Sequence, residues 1–414
     1  MSEEKLVPKL RFECSLEEYK KYKLGELVEN VVAGATPKTS VDDYWNGGDI
    51  PWLSSGEVHK KFIYFTDKFI TSEGYNNSST KIVPTNSVLI ALAGQGKTRG
   101  TVAINKIELC TNQSIASIIP NEMLNYKYLF YYLESKYEYL RALSSSDGGR
   151  GGLNLKLIRS IPIQVPSIKE QENISNFINE IDKKILLLEQ KHKLYDDFKK
   201  YLMQQIFTQK LRFNFTDEWE KYLLGDISLI GKGFTPSTSN PSFWDGDLKW
   251  LSIADMQGKY INQTTKKITS DGSKNKEPVK KGTLLMSFKL SIGKLGILTE
   301  DMYTNEAICN FKWKNKDVLT EYMYYYLSSI NILKYGSQAA KGITLNNETL
   351  STIPVLLPSL EEQKKIINIL SDVDMKINML ENSINDTSKF KKGLLQQMFV
   401  VQLILSLLQN KKHI

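Results

Sequence analysis

The strongest constraint on this 414-residue chain is an internal repeat. Lys9-Leu10-Arg11-Phe12 near the start returns as Lys210-Leu211-Arg212-Phe213, and Tyr22-Lys23-Leu24-Gly25-Glu26-Leu27 returns as Tyr222-Leu223-Leu224-Gly225-Asp226-Ile227. Thr36-Pro37 reappears as Thr235-Pro236, and Trp45 as Trp244. The run from Gly48 to Ser54 reappears from Gly246 to Ser252, and Asn112-Gln113 as Asn305-Glu306. From Leu153 to Phe207 the copies align without a gap to Leu345–Phe399, with 22 identities in 55 positions. The fold must therefore be one that can be built twice, from units of about 190 residues that each bury a core.

Each copy has two parts. The first mixes short β-rich stretches such as Val88-Leu89-Ile90-Ala91 with turn signals and one aromatic helix, expected over Tyr126 to Leu140 and again over Tyr322 to Leu333. It ends at Ile161-Pro162-Ile163-Gln164-Val165-Pro166, or Ile353-Pro354-Val355-Leu356-Leu357-Pro358. Proline at both ends of four residues suits an extended edge segment.

The second part is a long helix. Ser167 with Glu170, and Ser359 with Glu362, have the spacing of a capping box. Apolar positions then recur at Ile174, Ile178, Ile181, Ile185, Leu188, Tyr195, Leu202 and Ile206. The second copy gives Ile366, Leu370, Val373, Ile377, Leu380, Ile384, Leu394 and Met398. Alternating steps of four and three are a heptad seam, which predicts helix pairing. With no Pro or Gly from 169 to 208, the rod can reach about 60 Å at 1.5 Å per residue. Lys199 and Lys391 are polar seam positions, as is His192; such residues set register and partner choice.

The layout that follows is a segment over 1–21, a globular domain over 22–168, a helix over 169–210, a second domain over 211–360 with a lead-in at 211–221, a helix over 361–400 and a tail over 401–414. The predicted class is α+β. Two repeated α/β domains are separated by two long helices that pair as an antiparallel coiled coil, giving a pseudo-two-fold arrangement suited to the symmetry of a duplex. The Lys-Leu-Arg-Phe element has no copy after the second helix, where Val400-Val401-Gln402-Leu403-Ile404 follows instead.

Composition narrows the chemistry. Cys14, Cys110 and Cys309 lie far apart, as do His59, His192 and His413, leaving almost no material for a zinc site or a Ser-His-Asp triad. Scattered thiols suit a reducing, cytoplasmic setting. The start, Met1-Ser2-Glu3-Glu4-Lys5, lacks an apolar core and reads as no leader, and mean hydropathy is -0.32, so no membrane association is expected. A net charge of +8 mildly favours a polyanionic partner; only six of the 54 basic residues are Arg.

The paired Leu-Gly-Glu/Asp-Leu/Ile starts, the Thr-Pro and Trp-Leu-Ser patterns, and the Ile-Pro-x-x-x-Pro exits together resemble the type I restriction–modification specificity subunits. So do the Glu-Gln helix openings and the Gln-Gln-Ile/Met-Phe helix ends. The resemblance runs from about residue 9 to 399. It implies a non-catalytic DNA-recognition chain without a cofactor of its own. In that family each globular unit is a target recognition domain that reads one half of a bipartite, asymmetric site on double-stranded DNA. The helices set the spacer and dock two modification (methyltransferase) subunits, and restriction subunits add ATP-driven translocation and cleavage. S-adenosylmethionine, ATP and Mg2+ are thus expected in the partners. The alternatives are a stand-alone DNA methyltransferase or nuclease, and a structural coiled-coil adaptor.

Gly94-Gln95-Gly96-Lys97-Thr98 imitates a phosphate loop, but Ala91 replaces its first Gly and a strand-like run follows, so an ATPase site is not expected. Asn240-Pro241-Ser242-Phe243 imitates an amino-methyltransferase motif without its second Pro or a Gly-rich nucleotide turn. The twice-occurring Trp pairs, Trp45/Trp244 and Trp52/Trp250, read as core. DNA contacts are expected where the copies differ. In the first copy these are Gln95, Lys97 and Arg99, then Arg150 in the Gly-rich run Ser146–Gly152. In the second, which has no Arg beyond 213, they are Lys266, Lys267, Lys289, Lys294, Gln338 and Lys341. Lysine runs should touch phosphates and add salt dependence.

Overall fold

A computed structural model describes residues 8–12, 18–94, 97–143, 152–289, 291–339 and 342–399. The candidates Gln95, Arg150 and Lys341, together with Cys14 and the tail from Val400, lie outside these. The chain divides into two compact units, one formed by residues up to Leu188 with those from Ser383, the other by Glu189–Asn382. Each long helix, Ile168–Phe207 and Leu360–Met398, therefore contributes one half to each unit.

The two units share one strand plan. In the first, a five-stranded sheet runs Val28–Ala33, Ile115–Pro120, Val88–Ala91, Val102–Asn105, Phe62–Ile63, with only the last pairing parallel. A three-stranded sheet runs Lys68–Ile70, Ile50–Leu53, Cys110–Thr111. The second unit repeats the order with Ser228–Lys232, Ile308–Trp313, Leu284–Ser287, Leu295–Leu298, Tyr260–Ile261, and with Lys266–Ile268, Trp244–Leu251, Tyr303–Thr304. A close approach explains the Gly two residues before each Thr-Pro. A Cβ on Gly34 would lie 1.9 Å from the Thr111 carbonyl oxygen, and one on Gly233 would lie 2.0 Å from that of Thr304.

The Pro-flanked exits are strands. Pro162–Val165 pairs antiparallel with Lys20–Lys23, and Pro354–Leu357 with Glu220–Leu223. The aromatic helix holds each from behind: the Tyr128 and Tyr132 hydroxyls donate to the Gln164 and Pro162 carbonyls at 2.7 and 2.6 Å. Tyr322 and Tyr326 do the same to Leu356 and Pro354 at 2.6 and 3.2 Å. These helices are shorter than the pattern predicts. The first is interrupted at Lys136, which divides Tyr126–Ser135 from Tyr137–Leu143. The second spans Thr320–Ser329 and stops where Ile330 turns extended and Asn331 caps a new 3-10 turn.

Within each unit the halves of the long helices lie antiparallel on that unit's domain. Ile174, Ile178 and Ile181 share the first core with Leu394, Leu395, Met398 and Phe399, while Leu202, Met203, Ile206 and Phe207 share the second with Ile366, Leu370 and Val373. The ring of Phe399 packs edge-on against Tyr128 and Tyr132, centroids 5.3 and 5.7 Å away. Phe207 takes the same place against Tyr322 and Tyr326 at 5.9 and 5.5 Å.

The missing third Lys-Leu-Arg-Phe element is explained by the first. Leu211 N donates to the Gln205 carbonyl at 3.0 Å after the first helix, and Leu10 N donates to the Gln397 carbonyl at 3.0 Å after the second. Gln205 and Gln397 are aligned positions of the repeat. Leu10 thus takes, at the end of the second helix, the place that Leu211 takes after the first.

Candidate nucleic-acid interface

The openings of the long helices fasten each globular domain in place. The capping-box expectation is corrected in its carboxylate half: Ser359 Oγ does accept from Glu362 N at 3.4 Å, but the carboxylates of Glu170 and Glu362 bind partners far away in sequence. Glu170 receives Arg11 Nε and Nη2, both at 2.9 Å, and the Tyr19 hydroxyl at 3.0 Å. Glu362 receives Arg212 Nε and Nη2 at 3.0 and 2.7 Å and Trp219 Nε1 at 3.0 Å. Both carboxylates are buried, and a bidentate Arg at each satisfies charge and geometry together. Burial and the Glu170 carboxylate push the Tyr19 hydroxyl well above its ordinary value. The next residue completes the anchor. Gln171 accepts from Asn125 N and donates to the Met123 and Pro166 carbonyls; Gln363 accepts from Leu319 N and donates to those of Asp317 and Pro358. The Glu-Gln pair of the repeat therefore locks helix, strand and aromatic helix at one point.

The seam lysines make ion pairs. Lys391 meets both Asp182 oxygens at 2.8 Å and Glu134 at 2.7 Å in the first unit. Lys199 pairs with Asp374 in the second. His192 faces Asp196 one turn on, at 3.2 Å.

The sequence candidates fall on three features. Lys97 and Arg99 sit together in the loop joining strands Val88–Ala91 and Val102–Asn105. Gly94 and Gly100 flank it at φ +127 and +82. A strand, not a helix, follows this loop, which removes the phosphate-loop geometry. Lys97 is exposed, and its carbonyl accepts the Tyr137 hydroxyl at 2.8 Å, itself bonded by Arg141 Nη1 at 2.8 Å. Lys289 and Lys294 occupy the equivalent loop, between Leu284–Ser287 and Leu295–Leu298. Lys294 N donates to Ser287 Oγ at 3.0 Å and its Nζ to the Ile253 carbonyl at 3.4 Å. Lys266 and Lys267 are elsewhere, exposed on the edge strand of the three-stranded sheet, with Lys266 over the Trp244 ring at 5.4 Å. Gln338 lies on a small hairpin, Ser337–Ala339 with Gly342–Thr344. Asn240 Oδ1 accepts from Ser242 N, forming a turn before Trp244.

Sequence reasoning missed a pair of organising carboxylates, Glu57, which is buried, and its half-buried counterpart Asp255. Glu57 accepts from Ser54 N and Oγ at 3.2 and 3.1 Å and from Asp67 N at 3.1 Å. Asp255 accepts from Ser252 N and Oγ at 3.0 and 2.6 Å and from Thr265 N at 3.1 Å. The repeated Ser-x-x-Glu/Asp spacing after Trp-Leu was the available signal. Among the described residues no group of three or more His, Cys, Asp or Glu could hold a metal ion. Burial pushes the Cys110 and Cys309 thiols up to about 11 and about 12, so both behave as small core side chains. No described helix is long and apolar enough to cross a membrane.

This doubled architecture is that of a known class. Residues 16–194 and 216–387 each match the family described as the type I restriction modification DNA specificity domain, and the chain belongs to that family. It is similar to the MjaVIII specificity subunit of Methanocaldococcus jannaschii, 23% identical over 92% of this chain and 91% of that one. It is also similar to the Escherichia coli EcoR124I/EcoR124II specificity subunit, 29% identical over 36% of this chain. The match spans 37% of that relative's length, and 39% of the MjaIX specificity subunit's. A crystal structure of a type I restriction–modification S subunit from M. genitalium shares the fold, with TM-score 0.59 and 15% identity over 96% of this chain and all of that one.

Proposed function

We propose that this chain is the non-catalytic sequence-recognition subunit of a cytoplasmic type I restriction–modification complex. Each globular domain reads one half of an asymmetric split site on double-stranded DNA. The paired long helices fix the spacer and dock two modification subunits, which supply S-adenosylmethionine chemistry; restriction subunits supply ATP- and Mg2+-dependent translocation and cleavage. The observation that carries this reading is the recognition domain occurring twice, on one strand plan, each copy clamped to the long helices by the same Arg–Glu and Gln anchors.

The two equivalent hairpin loops, with Gln95, Lys97 and Arg99 or Lys289 and Lys294, are assigned to the DNA in this proposal. Arg150 is assigned with them, as are Lys266, Lys267, Gln338 and Lys341. Arg99 is the group able to bond guanine bidentately, while the lysines neutralise phosphates. The test is to map methylated adenines in a cell carrying the chain with its modification subunits. A single split sequence is expected, and replacing residues 22–166 by another such domain should change one half only. Methyl transfer or DNA cutting by the purified chain alone would instead mean a stand-alone enzyme. A featureless footprint in the presence of the modification subunits would mean an adaptor.

A further inference from the structure

The repeat contains its own control for which exposed side chains the fold needs. After Glu57 the first copy runs Tyr64-Phe65-Thr66-Asp67-Lys68-Phe69, and after Asp255 the second runs Asn262-Gln263-Thr264-Thr265-Lys266-Lys267. The two segments are held identically. Ile63 and Ile70, like Ile261 and Ile268, anchor the ends in the core. The Glu57 and Asp255 carboxylates receive the backbone N–H of Asp67 and Thr265, both at 3.1 Å. The Thr66 and Thr264 hydroxyls each donate to the carbonyl two residues on, at 2.8 Å.

What differs is the outward face. The first copy presents three aromatic rings, Tyr64, Phe65 and Phe69, exposed to 65%, 63% and 41%. The second presents Asn262, Gln263 and Lys267 on the same frame, also exposed, the amides bordering an open recess of about 450 Å3. The frame folds without the rings, so packing does not explain them. Lone exposed apolar residues need no explanation, but three within six positions on a preorganised loop do.

Resting on the proposed function, we infer that this segment is a base-reading element, aromatic in the first domain and amide-based in the second. The second face indicates the occupant, because Asn and Gln are the side chains that bond adenine bidentately in a groove. Aromatic rings at the aligned places contact bases by their faces, at thymine methyls or at an opened base step. Lys68 over the Trp45 ring at 5.8 Å puts positive charge beside the rings, as a polyanion requires, whereas Lys60, 4.9 Å from the Phe65 ring, is paired with Glu57 and Asp67 at 3.0 and 2.9 Å.

The test replaces the first face by the second, Tyr64→Asn with Phe65→Gln and Phe69→Lys. The second copy already demonstrates that this frame accepts those residues. In the complete complex with its modification subunits, the first half-site should change or relax and the second stay as it was. Affinity for the original duplex should fall by about ten-fold or more, the effect of one or more lost base contacts. In the converse variant, Asn262→Ala with Gln263→Ala, the second half-site alone should relax. An unchanged methylation pattern with unchanged affinity overturns the inference. So does unchanged DNA reading with loss of subunit assembly, which would make the rings a protein-docking face. If the unaltered chain methylates no split site, the proposed function itself has failed, an outcome separate from either.

Discussion

Two ion clusters at aligned positions of the repeat show how far one frame can diverge while keeping its register. In the first unit Lys391 is almost fully buried between Asp182 and Glu134, and Lys61 closes the set at 2.9 Å from Glu134. In the second, Lys199 pairs with Asp374 at a more open site, and Asp374 also accepts the Tyr325 hydroxyl at 2.6 Å. Lys259, the counterpart of Lys61, lies over the Tyr325 ring at 4.5 Å and reaches Glu321 only at 3.7 Å. The electrostatic results are opposite. Burial opposes the Lys61 ammonium, yet Glu134 and Asp182 outweigh it and raise its pKa; burial wins at Lys259 and lowers it. The shared feature is an Asp and a Lys at the same spacing on each helix, Asp182 with Lys199 and Asp374 with Lys391, each meeting the other kind on the other helix. The surroundings decide whether the pair is a closed charge cluster or a cation held mainly by rings.

The comparison breaks most sharply if the lysines are removed. Lys391→Met leaves two half-buried carboxylates facing each other with Lys61 alone, which should destabilise by about 3 kcal/mol. Lys199→Met strips one partner from a more open site where Tyr325 still serves Asp374, a loss of about 1–2 kcal/mol. Urea midpoints of the two variants measure the difference, and equal shifts would show that the two clusters do the same work.

Acid should sharpen it next. Burial pushes the Glu134 carboxyl up, but Lys391 and Lys61 overcome this and hold it below its ordinary 4.5. A depressed carboxylate contributes stability that is complete above the ordinary value and disappears as pH falls through the folded value. The first unit should therefore lose protection of the Glu134 helix as pH drops below about 4.5, and Glu134→Gln should flatten that dependence. Hydrogen exchange followed separately in the two domains reads this. A pH profile that Glu134→Gln leaves unaltered would remove this carboxylate from the account.

How much of this was legible in the sequence depends on the kind of signal. The seam from Ile174 to Ile206 was readable because helical burial has a period, and Lys199 and Lys391 stood out as interruptions of it. Their partners were not readable. Asp182 and Asp374 are ordinary surface-like residues until the second helix is laid antiparallel across the first. The Glu of the helix openings was misassigned for a related reason: Ser-x-x-Glu is a local pattern, whereas Arg11 and Arg212 arrive from 159 and 150 residues away. A local cap was outcompeted by a bidentate, buried, charge-assisted pair. At the candidate interface, lysine and glycine loops drew notice by composition. The loop frames under Glu57 and Asp255 depend on backbone hydrogen bonds that no residue count reveals.

The smallest effect concerns charge type in the two domains. Between Arg212 and Phe399 the second copy carries no Arg, and Lys289 and Lys266 are exposed ammonium groups above aromatic rings at 5.6 and 5.4 Å. An ammonium is a compact charge that any phosphate satisfies, whereas the guanidinium of Arg99 is a planar fork matched to a base edge. If both lysines meet phosphates, Lys266→Ala and Lys289→Ala should each reduce the slope of log affinity against log salt by about 0.9, leaving the methylated sequence intact. Arg99→Lys should do the reverse, keeping the slope and relaxing one position of the first half-site. Titrating each variant complex on its site at several salt concentrations separates these. A lysine variant that alters the methylated sequence, or an Arg99→Lys variant that only shifts the salt slope, would reverse the assignment of phosphate and base contacts between the domains.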